Sequence, residues 1–182
     1  LLAAAGYRFD VVPSSVAEPD PSGFPSPEAY VAYVAWLKAN DVGRWANRWV
    51  LAADTVVAYG DLILGKATDR ADAQQMLGTL RGTRHRVVTG VCLWIPRSDA
   101  AVVAVDSTTV LMRRLSDQQL TEYLDSGLWE GKAGAYGIQD RADPFVEALE
   151  GSFTNVVGLP IERVKDLLDW AWRAEQLDTQ TR

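Results

Sequence analysis

Cysteine and histidine are nearly missing: the 182 residues include one of each, Cys92 and His85. One cysteine permits no internal disulfide and no cysteine-built zinc site. One histidine permits no histidine metal cluster and leaves a Ser-His-Asp triad no choice of base. No apolar run approaches the ~20 residues of a membrane span. The opening LLAAAGYRFD lacks the basic and long apolar regions of a secretory signal. These absences set the expectation of a cytoplasmic protein that does not engage membranes. Basic residues are outnumbered, 18 Lys and Arg against 24 Asp and Glu, for a net charge of −6. Nucleic acid is thereby disfavoured as a partner, whereas a small anionic ligand needs only a few local cations or a metal. What is present is ordinary globular composition, 48% hydrophobic and 23% charged. A chain of this length buries roughly 70% of its unfolded surface, enough for a core without staples.

Punctuation along the chain organises the elements. Leu1–Ala5 reads as a final helical turn ended by Gly6, so the sequence starts inside an element. A short strand is expected over Phe9–Pro13, then a Pro- and Ser-rich loop carrying Glu18. Ser26 followed by Pro27 is a helix start, with Tyr30, Val34 and Leu37 at helical spacing and Lys38 toward the end. Strands are expected over Val50–Val57 and Leu62–Leu64, and an amphipathic helix over 69–80. Two β-branched strands follow, about His85–Ile95 and Ala101–Met112. Ser116 and Gln119 form a capping box for a helix ending near Gly127. A strand around Phe145–Leu149 and a helix opened by Pro160 complete the chain. Helices alternating with hairpin-like strand pairs indicate an α/β fold with a mixed sheet.

Asp54 is the most informative residue. Alternation in LAADTVV puts it on the face of Ala52 and Val56, and a carboxylate in an apolar strand needs a partner. GDLILGKAT has Gly60, Gly65 and Lys66 at P-loop spacing, but Ala67 stands where the magnesium-binding hydroxyl belongs, which rejects a P-loop. Lys66 remains a candidate point charge for a phosphate. In GKAGAYGIQD the glycines are three apart, and Gln139 ends the run with an amide able to donate to and accept from a base edge. His85 reads as a hydrogen-bonded strand histidine and Cys92 as core. Trp45, Trp49, Trp170 and Trp172 read as packing or as a subunit contact, which leaves a homodimer open.

Taken together, AADTVV at 52–57, GKATD at 65–69, RHRVVTGV at 84–91, KAGAYGIQ at 132–139 and NVVGLP at 155–160 resemble the Maf-type nucleoside triphosphate pyrophosphatases. Their order and spacing match over nearly the whole chain. The resemblance implies one domain over 1–182, an elongated mixed β-sheet flanked by helices, and two lobes with a cleft. It implies hydrolysis of a nucleoside triphosphate to monophosphate and pyrophosphate with a divalent metal, Mg²⁺ or Mn²⁺. Asp54 matches the catalytic acid and, with Glu18, the metal-facing carboxylates. Lys38 and Lys66 match lysines that face the phosphates. Thr55 and Gln139 match positions tied to substrate choice, nearer the dTTP/UTP branch than the 7-methyl-GTP branch, in a housekeeping removal of modified nucleotides. The family's opening strand and S-x-S-P-R-R loop have no counterpart in this sequence, which starts at the LL that follows them. GKP is GKA here, and Thr83 followed by Arg84 displaces a basic position.

A triphosphate brings about four negative charges beside Asp54 and Glu18, which is repulsive unless a cation sits between them; hard carboxylate oxygens suit Mg²⁺ or Mn²⁺. Two other readings stand beside this one: a purine-type enzyme acting on ITP, XTP or 7-methyl-GTP, and a catalytically weak nucleotide-binding regulator of cell division.

Overall fold

The computed structural model describes residues 1–138 and 145–180. In chain order the elements are α1 (Pro27–Gly43), β1 (Val50–Tyr59), β2 (Leu62–Leu64), α2 (Arg70–Leu80), β3 (Arg84–Ile95), β4 (Ala100–Met112), α3 (Asp117–Asp125), β5 (Val146–Glu150), α4 (Phe153–Val156) and α5 (Ile161–Gln180). The strands form one open sheet in the order β2-β1-β3-β4-β5, antiparallel among the described strands. The architecture combines helices with an open sheet, as expected, and the sheet is antiparallel where a mixed one was expected. No helix among the described residues is long and apolar enough to cross a membrane.

Local chemistry fixes most boundaries. The Ser26 hydroxyl accepts from the Ala29 amide and Pro27 follows at the first helical position, so α1 starts there. Asp69 caps α2 by accepting from the Asp72 amide at 2.8 Å. The Ser116–Gln119 capping box has both its reciprocal bonds. The strand expected over Phe9–Pro13 is not there: no backbone bond among those recorded ties these residues to a strand, and β-branched content alone makes no ladder.

The chain divides into two compact units, Leu1–Asp54 with Thr89–Asp106 and Leu159–Arg182, and Thr55–Val88 with Ser107–Gly158. In the first, strand alternation sorts the core onto two faces. Val50 and Ala52 of β1 and Cys92 and Trp94 of β3 pack with Ala35 and Ala39 of α1. Leu51 and Ala53, with Val91, Leu93 and Ile95, pack with Val164, Leu167 and Ala171 of α5. Gly90 lies where α1 packs tightly on β3: a Cβ there would stand 2.2 Å from the Val31 carbonyl oxygen. In the second unit, Val57, Val87, Val110 and Met112 of the sheet pack with Leu77 and Leu80 of α2 and Leu120 and Leu124 of α3. Gly134, at φ +66°, lets its loop lie on Val57, whose Cγ2 is 2.7 Å from where a Cβ would be.

Cys92 is core, as read from sequence. The tryptophans divide. Trp49 packs beside Leu51, with its indole donating to Glu175, whereas Trp45, Trp170 and Trp172 are all more than half exposed.

Candidate active site

Strand parity decides where Asp54 points. It continues the series Val50, Ala52 that faces α1, so its carboxylate emerges beside that helix. On α1, Tyr30, Val34 and Lys38 are four apart and share a stripe. The Lys38 ammonium donates to Asp54 Oδ1 at 2.7 Å and pairs with Glu18 Oε1 at 2.7 Å. Two carboxylates from a strand and a loop thus converge on one cationic nitrogen. Exposure grades outward, with 10% of the Asp54 side chain accessible, 23% of Lys38 and 47% of Glu18.

The electrostatics follow from that convergence. Burial acts to lower the Lys38 ammonium, but hydrogen bonds to Asp54 and Glu18 and their charges outweigh it and raise it above its ordinary value. Lys38 is therefore fully charged at neutral pH. The buried Tyr30 phenol is raised by burial first, then by the negative charges of Asp54 and Glu18. Sequence reading missed Asp41, one turn beyond Lys38. Its Oδ2 accepts from the Ser14 hydroxyl at 3.0 Å, the Ser15 amide at 2.8 Å and the Ser15 hydroxyl at 3.2 Å. The Ser15 amide bond, and then the Ser14 hydroxyl, hold the Asp41 carboxyl below its usual range. The signal available in sequence was its i+3 spacing from Lys38.

Among the described residues no group of three or more His, Cys, Asp or Glu is placed to hold a metal. Glu18 and Asp54 are instead a pair of hard oxygen donors already gathered on one cation. Such a pair suits an ion that takes one or two protein carboxylates and fills its other positions with water and substrate phosphate, the habit of Mg²⁺.

Thr55 follows Asp54 in β1, and its hydroxyl donates to the Gly158 carbonyl at 3.3 Å, tying AADTVV to NVVGLP. Lys66 is exposed just after β2, where it forms an isolated antiparallel bridge with Ala133. The Gly134 amide donates to the Gly65 carbonyl at 2.9 Å, so GKATD and KAGAYGIQ are joined through backbone. Gln139 lies outside the described residues. Asn155, a polar residue heading an apolar motif, is fully buried. Its amide donates to the Val87 carbonyl at 2.9 Å and to the Thr108 hydroxyl at 3.0 Å.

His85 is structural. Its Nε2 lies 2.6 Å from the Tyr136 hydroxyl, both residues are buried, and burial lowers the imidazole to about 4. Between that value and the ordinary 6.5 the unfolded chain takes up a proton that the folded chain does not. Stability therefore falls as pH drops through this window and is regained as pH rises. His85→Gln keeps a polar partner for Tyr136 and does not titrate, so melting curves between pH 7 and 4 are expected to flatten in the variant. Identical slopes in both proteins would show that acid sensitivity arises elsewhere.

The profile of the family described as Maf-like protein matches residues 1–171. The chain belongs to the Maf family. Its relatives agree. A protein of Rhodopirellula baltica named dTTP/UTP pyrophosphatase is 47% identical over 186 residues, covering 100% of this chain and 81% of the relative. Proteins of the same name from Pelotomaculum thermopropionicum and Sphingopyxis alaskensis are 40% and 43% identical, covering 92% and 88% of this chain and 88% and 86% of the relatives. The family match covers segments of both structural units, and Asp54 and Thr55 are adjacent in β1.

Proposed function

We propose that this Maf protein hydrolyses dTTP and UTP to the monophosphate and pyrophosphate, with Asp54 as the group that takes the proton of the attacking water. The observation that carries this reading is the convergence of Asp54 and Glu18 on Lys38, within a family whose relatives bear that activity in their names. Two carboxylates held on one ammonium are a cation-ready site. A divalent ion bound there supplies charge neutralisation for the phosphates and a lowered pKa for bound water.

The chain's own residues do the rest. Water attacks the α-phosphorus in line, the bond from that phosphorus to the bridging oxygen breaks, and pyrophosphate departs with the electron pair. The proton released by the water goes to an Asp54 carboxylate oxygen. A carboxylate is a weak base for bulk water, but a water held in line beside Asp54 needs only a short transfer to it. Lys38, fully charged, offsets the negative charge of phosphate oxygens as they arrive, and its flexible stem lets it move from carboxylate to phosphate. Lys66, exposed after β2, we assign to phosphate contact from its GKATD motif. Thr55 and Gln139 we assign to substrate choice.

Gln139 supplies the test of substrate. A glutamine amide donates to pyrimidine O4 and accepts from N3–H, and a site built on such bonds rejects cytosine, whose pattern is opposite. Gln139→Glu removes the donor and sets a charge against O4. The expected loss in kcat/KM for UTP is about ten- to a hundredfold, with CTP spared because its N4 amine donates to the new carboxylate. Measuring kcat/KM for both nucleotides in both proteins decides it: an equal loss for UTP and CTP assigns Gln139 to support of its loop.

A further inference from the structure

The loop that carries Glu18 lies between the turn at Gly6 and the start of α1, and only the single 3-10 turn Pro21–Gly23 interrupts it. Glu18 is nearly half exposed, and an ion pair in that setting holds its partners only weakly. Lys38 alone therefore does not hold a long loop in one place. Two pins flank Glu18 instead. On the C-terminal side, Asp20 caps the 3-10 turn by accepting from the Ser22 amide at 2.8 Å, and the Phe24 ring meets Tyr30 edge-on at 5.2 Å. On the N-terminal side, Asp41 of α1 takes three hydrogen bonds from Ser14 and Ser15 on one oxygen.

We propose that Asp41 is the positioning residue for Glu18: its clasp on Ser14 and Ser15 fixes the loop on α1 so that Glu18 reaches the Lys38 ammonium that also holds Asp54. Reach supports this. With Ser15 anchored, three residues extend at most about 10 Å, so Glu18 is confined to the neighbourhood of the same helix. Spacing supports it as well, because Asp41 and Lys38 are one turn apart on one helix, and the clasp and the acceptor of Glu18 move as one body. Bonds from a backbone amide and two hydroxyls to a carboxylate belong to the stronger, charge-assisted class. Asp41 touches no reacting atom in this scheme; it acts through Glu18, and the inference rests on the role assigned to Glu18 above.

A double-mutant cycle in the full-length protein tests it, with hydrogen exchange as a second readout. Asp41→Ala is expected to lower kcat/KM for UTP about tenfold through misplacement of Glu18, and to speed amide exchange over residues 15–18. Because all three bonds fall on one oxygen, Asp41→Asn keeps an acceptor and should recover most of the activity and protection. In a Glu18→Gln background, Asp41→Ala should change kcat/KM no further, while still speeding exchange. A further tenfold loss in that background would overturn the positioning role and leave Glu18 catalytic. Wild-type activity in Glu18→Gln itself would overturn the assignment of Glu18 and this inference with it.

Discussion

Asp54→Asn should lower kcat for dTTP and UTP by about a hundredfold or more while leaving nucleotide affinity nearly unchanged. Asparagine has the shape of the side chain it replaces and keeps an oxygen for the Lys38 ammonium, which lies 2.7 Å from Asp54 Oδ1. It cannot take a proton from water. The loss therefore falls on the chemical step and not on ground-state binding. Lys38 retains Glu18 at 2.7 Å, so the substitution does not strand a buried cation, the circumstance in which breaking an ion pair becomes severely destabilising. The measurement is steady-state turnover with a parallel binding titration, on protein whose fold is verified by circular dichroism. Wild-type turnover in the folded variant would remove Asp54 from the proton-transfer step.

Gly90→Ala should destabilise the protein by about 3 kcal/mol or more, the upper range for overpacking a core. The Cβ it adds would stand 2.2 Å from the Val31 carbonyl oxygen, 2.5 Å from its carbon and 2.8 Å from the Ala32 nitrogen. These are backbone atoms of α1, which cannot rotate aside as a side chain does, so the helix must move off β3. Because α1 carries both Lys38 and Asp41, activity should fall with stability. Gly78→Ala is the matched control. Gly78 lies inside α2 with nothing within 4 Å of its Cβ position, and alanine is favoured over glycine in a helix by about 1 kcal/mol. The same chemical change should thus lower the melting temperature at 90 and raise it at 78. Two changes of the same sign and size would contradict the packing described between α1 and β3.

The secondary structure was legible where local chemistry sets it. Ser26-Pro27 and the Ser116–Gln119 box mark helix starts through bonds made within three residues. Alternation in β1 carried the partner requirement of Asp54, because parity alone places it on the face that α1 covers. The identity of that partner was not readable: Lys38 meets Asp54 only because α1 packs on the sheet there, a long-range fact. Asp41 offered only its i+3 spacing from Lys38, since its bonds reach back 26 and 27 residues. The strand expected over Phe9–Pro13 failed because propensity describes a residue's fit to a sheet and supplies no neighbouring strand. Exposed Trp45, Trp170 and Trp172 show the converse, that a large apolar side chain need not be inside. The recurrence of five ordered motifs carried what single residues did not, and the family match over residues 1–171 bears this out.

Release of pyrophosphate from a pyrimidine nucleoside triphosphate is read directly by product analysis. Full-length protein is supplied with Mg²⁺ and, separately at equal concentration, dTTP, UTP, CTP, GTP, ITP and 7-methyl-GTP, and products are resolved by ion-exchange chromatography. dTMP and UMP with equimolar pyrophosphate are expected, formed faster from dTTP and UTP than from any other nucleotide, and slowed together about a hundredfold or more by Asp54→Asn. Release of inorganic phosphate with a nucleoside diphosphate, or a rate led by a purine nucleotide, would contradict the proposed reaction.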